Sequence, residues 1–175
     1  TSPLKYISLL EVFGIDPEKA GRRMDELLSL RDIARRNSID YQLVPHALYS
    51  MSRTLLKMLL EESGGDNVTS IHFMESPGEL MFLEKLEGPM YESYKSSGFL
   101  PAEPELVPGH AQAVLDCITR SGNLILVHNT FCDSETLKAV SQRKNLYWCL
   151  CPRSNLYIEN ALPPVDMLYS EGCEI

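Results

Sequence analysis

Basic side chains are scarce in this sequence. Its 175 residues hold 16 Lys and Arg against 24 Asp and Glu, a formal net charge of −8. That balance disfavours phosphate backbones and anionic membrane surfaces, so nucleic-acid and membrane binding are set aside. No apolar run reaches the ~20 residues that cross a bilayer, and no signal-peptide pattern opens the chain. No glycine-rich phosphate loop follows any strand identified below, which weakens a nucleotide-binding doubly wound sheet. Internal repeats and low-complexity tracts are absent. The five cysteines are Cys117, Cys132, Cys149, Cys151 and Cys173. Their odd number and mostly apolar surroundings suit buried free thiols in a reducing compartment, so a cytoplasmic location is expected. Cys149 and Cys151 have one residue between them and would point to opposite faces of a strand, unlike a Cys-x-x-Cys zinc or redox motif.

What is present is ordinary for one globular domain: 44% apolar and 23% charged residues. The chain opens at Thr1 without a methionine and enters a strand almost at once. It closes at Ile175, just after a turn begins another strand. Residues 1–175 are therefore expected to be a piece of a longer protein.

Short apolar runs predict strands over 6–13, 41–44, 68–72, 124–127 and 146–150, with another starting at Cys173. Helices are expected between them. Asp16-Pro17 starts one that runs to about Asn37, with Met24, Leu27, Leu28, Leu30, Ile33 and Ala34 as its apolar stripe. Ser50 or Ser52 caps the next, stopped by Ser63-Gly64-Gly65-Asp66. Ser76, Pro77 and Glu79 supply a hydroxyl cap, a first-turn proline and an acid three residues after the cap. A helical excursion over 88–97 and a proline-rich loop follow, a place where a substrate lid or wall is found in other folds. Further helices are expected over 110–120, from Asp133 or Ser134 to about Arg143, and after Pro163-Pro164. Strand–helix alternation with short turns predicts parallel strands and right-handed crossovers. A doubly wound sheet and a (β/α)8 barrel both satisfy it.

Three of the four histidines, His46, His72 and His128, fall at the C-terminal ends of expected strands. His110 lies near a helix start and reads as a surface or capping residue. In a parallel barrel, strand ends converge on one mouth, so the three imidazoles would share a pocket. Imidazole is both the commonest metal ligand and a general acid/base near neutral pH. Glu75 lies three residues past His72. It would favour the following helix start by its charge, or it would take a proton from a metal-bound water and pass it on.

The segments Leu43-Val44-Pro45-His46-Ala47-Leu48-Tyr49-Ser50, Ile71-His72-Phe73-Met74-Glu75-Ser76, Leu126-Val127-His128-Asn129 and Cys151-Pro152-Arg153-Ser154-Asn155 resemble the amidohydrolase superfamily. The branch is the metal-dependent one of adenosine, guanine and S-adenosylhomocysteine/methylthioadenosine deaminases and triazine chlorohydrolases. The resemblance covers essentially the whole chain. It implies a (β/α)8 barrel with one divalent metal, zinc first and iron as the alternative. It further implies that His72 is a metal ligand, that Glu75 shuttles the proton and that His128 orients the metal-bound water. By the same resemblance His46 contacts substrate, and Cys151 to Asn155 lie beside the pocket with Asn155 fixing the loop. Metal-bound hydroxide would attack a ring carbon of a purine- or nucleoside-like substrate and release ammonia. Guanine, an aminodeoxyfutalosine-like amine and a chlorotriazine stay open as alternatives.

The family's His-x-His pair of the first strand and its aspartate at the end of the eighth do not occur here. A complete barrel takes about 250 residues. The chain is thus expected to be the central part of one amidohydrolase barrel domain, strands 3 to 7 with the start of strand 8, and to be inactive by itself with no tight hold on metal. The competing reading is a non-catalytic fragment or degraded homologue that keeps only fold and pocket. Unpaired parallel edges at 6–13 and after Cys173 invite association into homo-oligomers.

Overall fold

Local chemistry starts most of the helices. In the computed structural model, which describes residues 4–63, 68–105, 114, 122–141 and 143–175, strand β1 (Ser8–Val12) leads to Asp16, whose carboxylate accepts from the Glu18 N–H at 3.0 Å. Pro17 then opens a 3-10 turn that runs into α1 (Ala20–Arg36). Asn37 ends that helix, its side-chain amide donating to the Ile33 carbonyl at 2.8 Å. After β2 (Tyr41–Pro45), a 3-10 turn (Leu48–Ser50) precedes α2 (Arg53–Ser63). Ser52 is the cap: its buried hydroxyl accepts from Leu55 N–H at 3.1 Å. Replacing Ser52 with Ala is expected to cost about 1 kcal/mol, read as a shift in the urea midpoint with unchanged slope.

β3 (Thr69–Phe73) is followed by α3 (Pro77–Lys85), capped by the Ser76 hydroxyl. Gly88, at φ 93, turns the chain into α4 (Pro89–Ser96), a conformation glycine adopts without Cβ strain. Phe82 of α3 meets Tyr94 of α4 edge-to-face at 5.3 Å. β4 (Leu124–His128) leads to α5 (Ser134–Val140), where Asp133 rather than Ser134 is the cap, accepting from Thr136 N–H at 2.7 Å. β5 (Leu146–Cys149), α6 (Pro152–Glu159) and α7 (Val165–Ser170) complete the described elements. The helix expected over 110–120, with His110 and Cys117, lies outside the described residues except for Val114, which is fully buried. Among the described residues no helix is long and apolar enough to cross a membrane.

The strands are all parallel. β1 pairs with β2, and β3 with β4 and β5. An Ala47–His72 bridge joins the two groups, and Glu174 bridges to Tyr147 beyond β5. Neighbours therefore follow chain order without the reversal of a doubly wound sheet. Val12, Leu43, Ile71, Phe73, Leu126 and Trp148 point to one face, where they form the core with helix residues such as Leu27, Leu55, Phe82 and Leu137. His72, Val127 and Cys149, in register, occupy the other face. The fold is mixed α/β with parallel strands, arranged as in part of a TIM-like barrel.

Two expectations are corrected. Leu30 and Ile33 are 48% and 47% exposed, because α1 packs on β1, β2 and α2 and nothing described covers its other flank. The thiols are not all buried: Cys132 is, Cys149 is exposed, and Cys151 and Cys173 are intermediate. Cys149 alternates onto the open face of β5. The strand stops at Cys149, and Cys151 lies at the bend into α6.

Candidate active site

Parallel pairing brings the ends of β2, β3 and β4 together, and with them His46, His72 and His128. Ring centroids of His46 and His72 lie 4.6 Å apart, and those of His72 and His128 5.2 Å apart. The His46 carbonyl accepts from the His72 backbone N–H at 2.8 Å and contacts its Nδ1 at 2.9 Å. A carbonyl only accepts, so His72 Nδ1 carries a hydrogen. Glu11 Oε1, 3.8 Å from the same Nδ1, favours a hydrogen there. Ser50 donates to the Ala47 carbonyl at 3.0 Å and so accepts from His46 Nδ1 at 2.8 Å. Burial first, and the neighbouring His72 second, lower the pKa of the His46 imidazole and favour its neutral form.

His128 is buried and tied to Asn155 of α6. Asn155 Oδ1 lies 2.8 Å from His128 Nδ1, and its amide nitrogen donates to the His128 carbonyl at 3.4 Å. Nδ1 therefore carries a hydrogen. His128 Nε2 stands 3.3 Å from Glu75 Oε1. The two groups face each other at ion-pair distance. Glu75 Oε2 accepts from the Tyr49 hydroxyl at 3.3 Å. Burial, then the Glu75 charge, push the Tyr49 phenol well above its ordinary range, so it stays a donor. Cys151, beside His128, is raised by burial first and Cys149 second.

The backbone is strained where these groups converge. Met74 (φ 49), His128 (φ 77) and Asn129 (φ 56) are left-handed without being glycine, at a cost on the order of 1–3 kcal/mol each. Hydrogen bonds lock the two turns together: Asn129 N–H to the Phe73 carbonyl at 3.0 Å and Phe131 N–H to the Met74 carbonyl at 3.1 Å. A cavity of about 590 Å³ opens beside Tyr49, lined also by Gly78, Met81, Met90 and Tyr94, so α4 forms one of its walls.

All four residues singled out from the sequence thus come together: His46, His72, Glu75 and His128. Tyr49 and Glu11 were not foreseen, since their contacts depend on which strands become neighbours. The chemistry of His72 suits a metal: a carbonyl fixes the ring through Nδ1, and Nε2 is the nitrogen left to ligate. Among the described residues, however, no three His, Cys, Asp or Glu side chains form a group that could hold a metal ion.

No family model and no curated protein matches the chain. Solved structures do. An aminofutalosine deaminase of Helicobacter pylori matches at a TM-score of 0.76 and 24% identity over 98% of this chain and 44% of that one. The same enzyme in complex with methylthio-coformycin gives 0.76 and 24%, over 98% and 42%. An adenosine deaminase from Xanthomonas campestris with bound zinc gives 0.58 and 19%, over 97% and 35%. The chain spans less than half the length of these proteins. Both deaminases are amidohydrolase-superfamily enzymes, the superfamily that the sequence motifs resemble, and this chain shares their fold.

Proposed function

We propose that this chain is the central part of a metal-dependent amidohydrolase barrel, strands 3 to 7 with the start of strand 8. Its parent protein acts as an aminohydrolase of a purine- or nucleoside-like substrate. The observation that carries this reading is the approach of Glu75 to His128, beside an imidazole, His72, whose Nδ1 is already fixed by a carbonyl. The two deaminases that share the fold support it, one of them with bound zinc.

His72 would hold the metal, zinc or iron, together with ligands outside the described residues. A divalent ion, when bound, supplies Lewis acidity that brings the pKa of a coordinated water down towards about 7. Glu75 accepts a proton from the attacking water and returns it to the leaving amine. His128 orients that water through Nε2, and Asn155 keeps the imidazole in the required tautomer. His46, engaged by Ser50 through Nδ1, offers Nε2 to the substrate. The cavity beside Tyr49 gives room for the part of the substrate away from the reacting ring.

Metal analysis of the purified chain against His72→Ala tests the ligand. Near-stoichiometric zinc or iron, lost in the variant, shows a complete site, assembled within or between chains. No metal in either places the remaining ligands on segments beyond this chain. The parent protein, with both flanks, is then expected to release ammonia from a purine nucleoside. A metal-free, inactive parent would leave the second reading, a degraded homologue that retains fold and pocket. That alternative draws on the lack of a three-ligand group among the described residues. The exposed apolar residues Ile7 and Leu9 along the β1 edge add association of isolated chains to the proposal, and a clean monomer by light scattering at high concentration counts against it.

A further inference from the structure

Glu79 is the most deeply buried acid among the described residues. At the third residue of α3, a glutamate in a capping box reaches back to the N–H of the cap. Here Oε1 accepts from Met74 N–H at 3.2 Å and Oε2 from Glu75 N–H at 2.9 Å. These donors belong to the strained residue Met74 and to the residue that follows it. Two adjacent N–H groups need two acceptor oxygens and no competing hydrogen, which a carboxylate provides. Aspartate is one methylene short. Glutamine would set an amide hydrogen against a backbone hydrogen. Among the described residues the Glu75 side chain has two contacts, of 3.3 Å each, to Tyr49 and His128, both long for bonds to a charged group. Its backbone must therefore supply the aim.

We propose that Glu79 is a positioning residue: it holds the Met74–Glu75 turn so that the Glu75 carboxyl meets His128. The proposal rests on the assignment of Glu75 as proton carrier. It separates from a packing role in one variant. If Glu79 merely fills buried space, Glu79→Gln is isosteric and leaves Glu75 where it is. If it positions Glu75, the variant replaces one acceptor with a donor and displaces it.

The readout is the Glu75 carboxyl-carbon NMR signal of the labelled chain at fixed neutral pH, assigned by its loss in Glu75→Gln. In Glu79→Gln that signal should move about half or more of the way to its position in His128→Asn, where the contact is deleted. An unmoved signal in Glu79→Gln, with His128→Asn displaced, overturns the positioning role alone. An unmoved signal in His128→Asn means that the Glu75–His128 contact is absent, and the reading beneath the proposal fails. Should Glu79→Gln not fold, the native chain still decides. A scalar coupling across the hydrogen bond from the Glu75 amide nitrogen to the Glu79 carboxyl carbon is expected. Its absence, in a spectrum that resolves such couplings within α3, overturns the proposal.

Discussion

Glutamine in place of Glu75 is expected to slow ammonia release by the parent protein roughly 10²–10⁴-fold, the usual contribution of a positioned general acid/base. Glutamine preserves the local geometry. Its amide keeps the size and shape of the carboxyl, and its carbonyl still accepts from the Tyr49 hydroxyl. The site keeps its shape and loses only a proton that can move. Metal content and the urea midpoint should therefore match those of the native protein, while the barrier rises by about 3–5 kcal/mol, at about 1.4 per tenfold. Steady-state assays and metal analysis of the two proteins check this. A variant with nearly native kcat and a raised KM would make Glu75 a substrate contact and shift proton transfer to another group.

The strands were the easiest elements to read. Apolar runs such as Leu124 to Val127 contain no polar residue because parallel strands are covered on both faces, and they end where a turn residue follows. Helix starts were nearly as plain, since Asp16, Ser76 and Asp133 act on N–H groups two or three residues away. The choice between Ser50 and Ser52 was not. Either hydroxyl could cap α2, and the decision lies in a tertiary contact, because Ser50 serves His46 Nδ1. Helix α6 went unforeseen although Pro152 sits at its first position. Cys151 to Asn155 drew notice for its resemblance and not for its backbone.

The three strand-end histidines were legible because position along a strand predicts position in space once strands are parallel. Tyr49 was not, since its hydrogen bond to Glu75 spans 26 residues of sequence and exists only because β2 lies beside β3. Leu30 and Ile33 show the converse limit. An apolar stripe records what a helix could cover, but not which flank has a neighbour. Glu79 shows a third. Its place after a serine cap matched a local motif, and two N–H groups of a nearby turn take its carboxylate oxygens.

Truncating Asn155 to alanine is expected to destabilise the chain by about 2–4 kcal/mol, a large share of the ~5–15 kcal/mol that holds a domain folded. Asn155 is buried and bonds His128 twice, through Oδ1 to Nδ1 at 2.8 Å and through its amide to the carbonyl at 3.4 Å. Alanine leaves a buried N–H and a buried carbonyl without those partners, at about 1–3 kcal/mol for the shorter bond and less for the longer. The loss reaches the site as well. Without Asn155 nothing holds the hydrogen on His128 Nδ1 or the orientation of the ring that faces Glu75. Aspartate at 155 keeps the acceptor for Nδ1 but sets an oxygen and a buried charge against the His128 carbonyl, so it should recover only part of the loss. Trp148, buried in β5 and the only tryptophan of the chain, reports urea unfolding a few residues from the substitution. Equal midpoints for the native chain and Asn155→Ala would show that these bonds add nothing, and the fixed tautomer of His128 would lose its cause. A loss in alanine that aspartate partly restores would assign that share to the Oδ1–Nδ1 bond, the contact that turns Nε2 of His128 towards Glu75.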